Sequence, residues 1–375
     1  MSNFIEEFKK GQAEGNKGLS MGKGLSHISN AINGVQKGRL YGVGAAPKAG
    51  KSTFVDNGFV INPILDAIAS NTPLEVIYLS LEIDRVSKEF EYAAHFLFLD
   101  YGITHISLPP GVTRNGSDDV ELSANYLRGR LQDDNENIIK VKEILLEPLK
   151  DVYDRRIIPI FGEYSTNGVC IVPGIMTFIE QKDNPTGYYK FFLAHAEKHG
   201  KFNYVKMGKG RRITGYNPHD PKKFTIVITD HLRKILLERG FQKKQAVDKY
   251  IEYQVEIRNW CQWTFVDIIH LNRNMTQLDR IKEFSDLLYP NSDDIKDTGN
   301  LAEDADYVFT LFNPNDERYN LSKHFGKEIK DKGGNELYPK MRTVHLVESR
   351  HCEFPQHFRV NMAGAYKSFE KLEID

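Results

Sequence analysis

The chemistry in this chain starts with a lysine and a serine, Lys51 and Ser52, near the end of the stretch "GAAPKAGKST" (Gly44–Thr53). A turn of small residues ahead of Gly-Lys-Ser lets backbone N–H groups cradle phosphates. The lysine ammonium can reach the β- and γ-phosphates, and the serine hydroxyl can take a place on a magnesium ion. The pattern for such a loop, G-x-x-x-x-G-K-[ST], puts Ala45 where the first glycine is expected. The same stretch also reads as a plain surface turn before a helix. The apolar run "RLYGVG" in front and a helical pattern behind supply the strand–loop–helix setting that phosphate binding needs. Ala45, Gly50, Lys51, Ser52 and Thr53 are then the nucleotide-binding candidates.

Phosphoryl transfer also needs a carboxylate on the metal and a group that positions water. Asp230 closes the run "FTIVITD", and Glu82 closes "YLSLE", the first strand-like run after the phosphate-loop helix. Taken singly, an aspartate at a strand end is a turn residue and a glutamate there is a solvated carboxylate. In a parallel sheet, however, strand C-termini open onto one edge, so both carboxylates can converge on Lys51.

The elements that must position these groups follow one rhythm. Short, near-continuous apolar runs at "RLYGVGA", "LEVIYLSLE", "KFTIVITD", "WTFVDIIHLN", "ADYVFTLF" and "RTVHLVES" alternate with helical patterns such as "DRVSKEFEYAAHFLFLDYG". That alternation predicts an α/β fold with a mostly parallel sheet flanked by helices. Residues 1–17 read as a short amphipathic arm, and 18–375 as one domain with insertions on the sheet's rim near 103–183 and 201–222. The first insertion holds an acidic patch (Gln132–Asn137) and the hairpin-like "YSTNGVCIVPG". The second alternates around Gly208-Lys209-Gly210, and the stretch 198–223 carries eight Lys/Arg against one acid, Asp220. Its Phe202, Tyr204 and Tyr216 are interleaved with the basic residues, which suits either single-stranded nucleic acid or a solvated hairpin face.

Composition sets the outer limits. Fifty basic residues nearly cancel fifty-one acidic ones, for a net charge of −1, so nucleic-acid contacts must come from local basic clusters. Cys170, Cys261 and Cys352 are isolated and form neither a disulfide framework nor a zinc spacing, which predicts a cytoplasmic setting. The start "MSNFIEEFKKGQAEGNKG" has no apolar signal core, and no run is long enough to span a bilayer, so no membrane role is expected.

Several of these stretches together resemble a family. "GLSMG" followed by "LSHISNAINGVQKGRLYGVGAAPKAGKST" is similar to the opening of the ATPase domain of DnaB-type replicative helicases, whose phosphate loop commonly begins on alanine. "SLE" (Ser80–Glu82), "NPTGYYKFFLAHAEKHG" (Asn184–Gly200), "HLNRNM" (His270–Met275), "DIKDTGNLAEDADYVFTLF" (Asp294–Phe312) and "HLVESRH" (His345–His351) resemble later family segments, in the family's order over residues 18–360.

The resemblance implies a RecA-like ATPase fold and an ATP-dependent replicative DNA helicase, assembled as a homo-hexameric ring on single-stranded DNA. It makes Lys51 and Ser52 nucleotide and Mg2+ ligands, Glu82 the water-activating base, and Asp230 a metal carboxylate. His270 takes the place of the family's sensor glutamine. Arg350 becomes an arginine finger supplied to the neighbouring subunit, and Lys296 and Gly299 fall in a DNA-backbone loop. With Lys209, Arg211 and Arg212 of the basic hairpin they form the DNA-binding candidates. Glu348 stands where the family has a lysine, and the family's N-terminal helical domain has no counterpart here. A bacteriophage-encoded relative in the host cytoplasm, with a primase or helicase loader as partner, is the expectation that follows. Two rivals remain: a RecA-like recombinase or loader that assembles on DNA without unwinding it, and a weakly active ATP-binding structural protein.

Overall fold

The computed structural model describes residues 17–46, 48–108, 110–111, 113, 116–128, 145–165, 170–207, 210–271, 277–295 and 301–372. Residues 1–16 of the arm and the acidic patch at Gln132–Asn137 lie outside them.

Nine strands build one sheet: β1 (Leu40–Ala45), β2 (Leu74–Ser80), β3 (Met176–Ile179), β4 (Phe224–Asp230), β5 (Thr264–His270), β6 (Tyr307–Phe312), β7 (Met341–Ser349), β8 (Gln356–Ala363) and β9 (Ser368–Lys371), in the order β9-β8-β7-β6-β1-β5-β4-β2-β3. From β6 through β1, β5, β4 and β2 to β3 all neighbours run parallel. From β6 outward through β7, β8 and β9 they alternate antiparallel. The six runs read as strands in the sequence are all present. β8, β9 and β3 were not anticipated, and β3 comes from the tail of the 103–183 segment, where it is the outermost parallel strand.

β1, β4 and β6 are buried along their whole length, as strands covered on both faces must be. On one face Tyr41, Val43 and Ala45 of β1 meet α1 (Lys51–Val55), α2 (Asn62–Ser70) and α3 (Arg85–Tyr101). On the other, Leu40 shares a core with α4 (Pro185–His199) and α5 (Lys243–Cys261), through Tyr188, Phe192, Tyr250 and Ile251. A Cβ on Gly44 would come within 2.6 Å of Leu271, so only glycine lets β1 pack this closely beside β5.

α1 and α2 are one helix interrupted by a widened π turn at Asp56–Ile61. Pro63, at the start of α2, has no N–H to donate and its ring crowds the preceding turn, which accounts for the irregularity. The ends of α3 are set by Asp84, whose side chain accepts the Ser87 N–H, and by Gly102 in the left-handed region. Within the 103–183 segment, Leu146–Val152 and Ile158–Phe161 are helical and join the core beneath α3. Glu163–Tyr164 pairs antiparallel with Cys170–Val172, the hairpin read from "YSTNGVCIVPG". Among the described residues no helix is long and apolar enough to cross a membrane.

Candidate nucleotide site

The register of the parallel strands brings the chemistry to one edge. β1 ends at Ala45, which sits beside His270, the last residue of β5. Asp230 ends β4 and pairs with Ser80, the last residue of β2, and its carbonyl accepts the Leu81 N–H at 2.7 Å, tying the two strand ends together. Glu82 follows directly. The phosphate-loop turn leaves β1 with left-handed backbone at Lys48 (φ 67) and Gly50 (φ 95), the kind of kinked turn whose N–H groups converge on an anion. At Gly50 a side chain would be strained and would also strike Met362 of β8. Lys51 and Ser52 open α1, and Thr53 is buried beneath them.

The electrostatics of this edge are those of a site prepared for charge. Burial pushes the Lys51 ammonium below the usual lysine range, with Asp230 and Glu82 close enough to oppose the shift. Burial likewise holds the Asp230 carboxyl above the usual carboxylate range, offset in part by Lys88 and Lys51. The Tyr78 hydroxyl lies 3.3 Å from Asp230 Oδ2, while Asp230 Oδ1 is buried with no hydrogen-bond partner. An orphaned, deeply buried carboxylate oxygen beside a phosphate loop suits a divalent cation, and the hard oxygen donors of Asp230 and Ser52 suit magnesium.

Glu82 is only partly covered. Burial works to raise its carboxyl, but His231 and Lys234 outweigh that and hold it below the usual range. His231 Nε2 lies 3.0 Å from Glu82 Oε1, and Lys234 Nζ lies 3.5 Å from the same oxygen. The His231 and His270 rings meet edge to face with centroids 4.4 Å apart. Burial pushes His231 down to about 4, and burial with Lys51 nearby also lowers His270, so both imidazoles are neutral near pH 7. His231 was not singled out in the sequence. Its one signal there is its place directly after Asp230.

No protein-family model matches the chain, and no curated protein matches it. Solved structures do. The ATPase domain of a DnaB-like helicase superposes with a TM-score of 0.61 at 11% identity, over 99% of this chain and 98% of its own. A DnaB-like replicative helicase, solved for its interactions with primase, superposes with a TM-score of 0.60 at 12% identity, over 100% of this chain and 67% of its own. The chain has the fold of a DnaB-like helicase ATPase domain. The RecA-like α/β fold with a mostly parallel sheet, expected from the sequence, is therefore correct.

Within this DnaB-like ATPase fold the remaining candidates lie away from the phosphate loop. Arg350 follows β7, whose last residue, Ser349, pairs with Tyr307 at the start of β6. It is exposed on the sheet edge opposite Lys51, where its N–H donates to the Asp306 carbonyl at 3.0 Å and its guanidinium donates to the Glu303 carbonyl. The basic stretch is an antiparallel hairpin, Gly200–Met207 with Gly210–Pro218, and it too stands at that opposite edge. Phe202 and Tyr216 pack together at its base, and Phe202 also meets Trp260 in the last turn of α5. Arg211 and Arg212 are exposed along it, as are Tyr204, Val205 and Met207. Lys209, Lys296 and Gly299 lie outside the described residues.

Proposed function

We propose that the protein is an ATP-dependent replicative DNA helicase, a ring of identical subunits, six by family resemblance, that moves along single-stranded DNA and separates the duplex. One observation carries the reading: Lys51, Ser52, Asp230, Glu82 and His270 are gathered on one edge of the sheet, while Arg350 is held at the other. A six-residue strand spans roughly 20 Å, so Arg350 cannot reach the phosphate loop of its own chain. A site that needs it is completed by a neighbour.

In this reading Lys51 neutralises the β- and γ-phosphates of ATP, and Ser52 and Asp230 hold Mg2+, which supplies positive charge against the transferring phosphoryl group. Glu82 accepts the proton of the attacking water. His270 donates a hydrogen bond to the γ-phosphate in place of an amide, and Arg350 of the next subunit stabilises charge that develops during transfer. Lys296 and Gly299, with the hairpin residues Lys209, Arg211 and Arg212, contact the DNA backbone. A primase or helicase loader is the partner class, and a bacteriophage-encoded protein working in the host cytoplasm fits the resemblance.

Strand displacement on a forked duplex tests this. ATP- and magnesium-dependent release of the labelled strand by wild type, absent in Lys51→Ala, is expected. Hydrolysis with DNA binding but no displacement would favour the recombinase-like alternative.

A further inference from the structure

His231 follows the metal carboxylate directly and is 3% exposed. Its ring is fixed from both sides. Nδ1 accepts the backbone N–H of Arg233 at 3.3 Å, and Nε2 faces Glu82 Oε1 at 3.0 Å. A neutral imidazole carries one N–H, so acceptance at Nδ1 leaves the proton on Nε2, which donates to the carboxylate. The ring is also packed edge to face against His270. Glu82, by contrast, sits on an irregular segment after β2, and its other charged contact, Lys234, has a side chain 44% exposed. A long exposed lysine does little to hold a geometry.

We propose that His231 is a positioning residue for Glu82: its Nε2–H binds one carboxylate oxygen and leaves the other to take the proton of the attacking water. The proposal rests on the ATPase reading above. The imidazole is uncharged near pH 7, so it orients the base without neutralising it. A cation in the same place would weaken the carboxylate as a proton acceptor. The groups facing His231 are Glu82, His270, Lys51 and Asp230, and none of the others offers Glu82 a fixed neutral donor. A purely structural latch between β2 and β4 would show the same contact, so the test must separate orientation from folding.

Steady-state ATPase and binding of a non-hydrolysable ATP analogue are measured for wild type, His231→Phe, His231→Gln, Glu82→Gln and the double variant Glu82→Gln/His231→Phe. Loss of a supporting hydrogen bond to a reacting group costs roughly tenfold to a hundredfold. That loss is expected in kcat for His231→Phe, with KM and analogue binding within about threefold of wild type. His231→Gln, whose amide can donate to Glu82, should recover most of the rate. The double variant should be no slower than Glu82→Gln alone, because the two residues act as a unit. His231→Asn, smaller than phenylalanine and too short to reach Glu82, replaces it if phenylalanine cannot fit beside His270. Unchanged kcat in an active, nucleotide-binding His231→Phe overturns this inference alone, as does a double variant in which the two losses multiply. A wild type with no ATPase overturns the functional reading and this one with it.

Discussion

Replacing Lys88 with methionine tests how the carboxylates behind the phosphate loop are held. Lys88, on α3, is fully buried, with its ammonium 3.0 Å from Asp56 Oδ2 and 3.3 Å from Glu91 Oε2. Burial alone would pull its pKa down, but Asp56 and Glu91 outweigh it and keep the group charged well above the ordinary range. Asp56, equally buried in the π turn, also takes the hydroxyls of Tyr78 and Tyr92, each at 3.2 Å. Methionine keeps much of the volume and strands Asp56 without a counter-ion. Removing one partner of a buried pair costs about 3–5 kcal/mol, a large share of the roughly 5–15 kcal/mol that holds a typical domain together. Urea unfolding at fixed protein concentration measures this. Adding Asp56→Leu removes the stranded charge and should recover at least half of the loss, a coupling that the double-mutant cycle reads directly. The same substitution removes the cation that most offsets the burial of Asp230, so the magnesium concentration for half-maximal activity should rise. A single variant that loses under about 1 kcal/mol, the scale of an exposed pair, would refute the buried-pair argument, and so would a double variant as unstable as the single.

Three further outcomes are expected. Arg350→Ala and Glu82→Gln subunits, each inactive alone, should regain ATPase when mixed into one ring, because some interfaces then hold both wild-type groups; mixed rings no better than either parent would count against a finger acting on the neighbour. Changing Arg211 and Arg212 to alanine should flatten the salt dependence of single-stranded DNA binding by about 0.7 in log–log slope for each phosphate these side chains neutralise; an unchanged slope would leave the hairpin a solvated face. At the start of β2, burial works to raise the Glu75 carboxyl, but His195 and Lys223, each 2.9 Å away, hold it down at about 2. Its folded pKa lies below the ordinary 4.5, so its stabilisation is complete above that pH and is lost as pH falls towards 2. The loss is about 3 kcal/mol at most, and acid unfolding of Glu75→Gln should show a flatter curve in that window.

The candidate site was legible in the sequence wherever chemistry falls at the end of a buried strand. Ala45, Glu82, Asp230 and His270 each close or follow a continuous apolar run, and parallel topology alone carries such ends to one edge. What escaped notice has a different physical form. β3 is a four-residue edge strand, only partly buried, and leaves no continuous apolar run. β8 interleaves His357, Arg359 and Asn361 with apolar residues, and pairing with β7 on one side and β9 on the other makes it a strand. His231 meets a partner 149 residues away, which no local pattern announces. Lys88 and Asp56 read as solvated charges on helices. Only the π turn and the docking of α3 show that they face each other inside the core.

The central claim is that this edge hydrolyses ATP on demand from DNA, and its most direct measurement is steady-state ATPase with and without single-stranded DNA, for wild type and Lys51→Ala. The account predicts hydrolysis by wild type that DNA stimulates, and a fall of roughly a hundredfold or more in Lys51→Ala, the scale of removing one group that stabilises developing charge. A folded Lys51→Ala protein whose rate stays within about threefold of wild type, far less than such a group is worth, would contradict it.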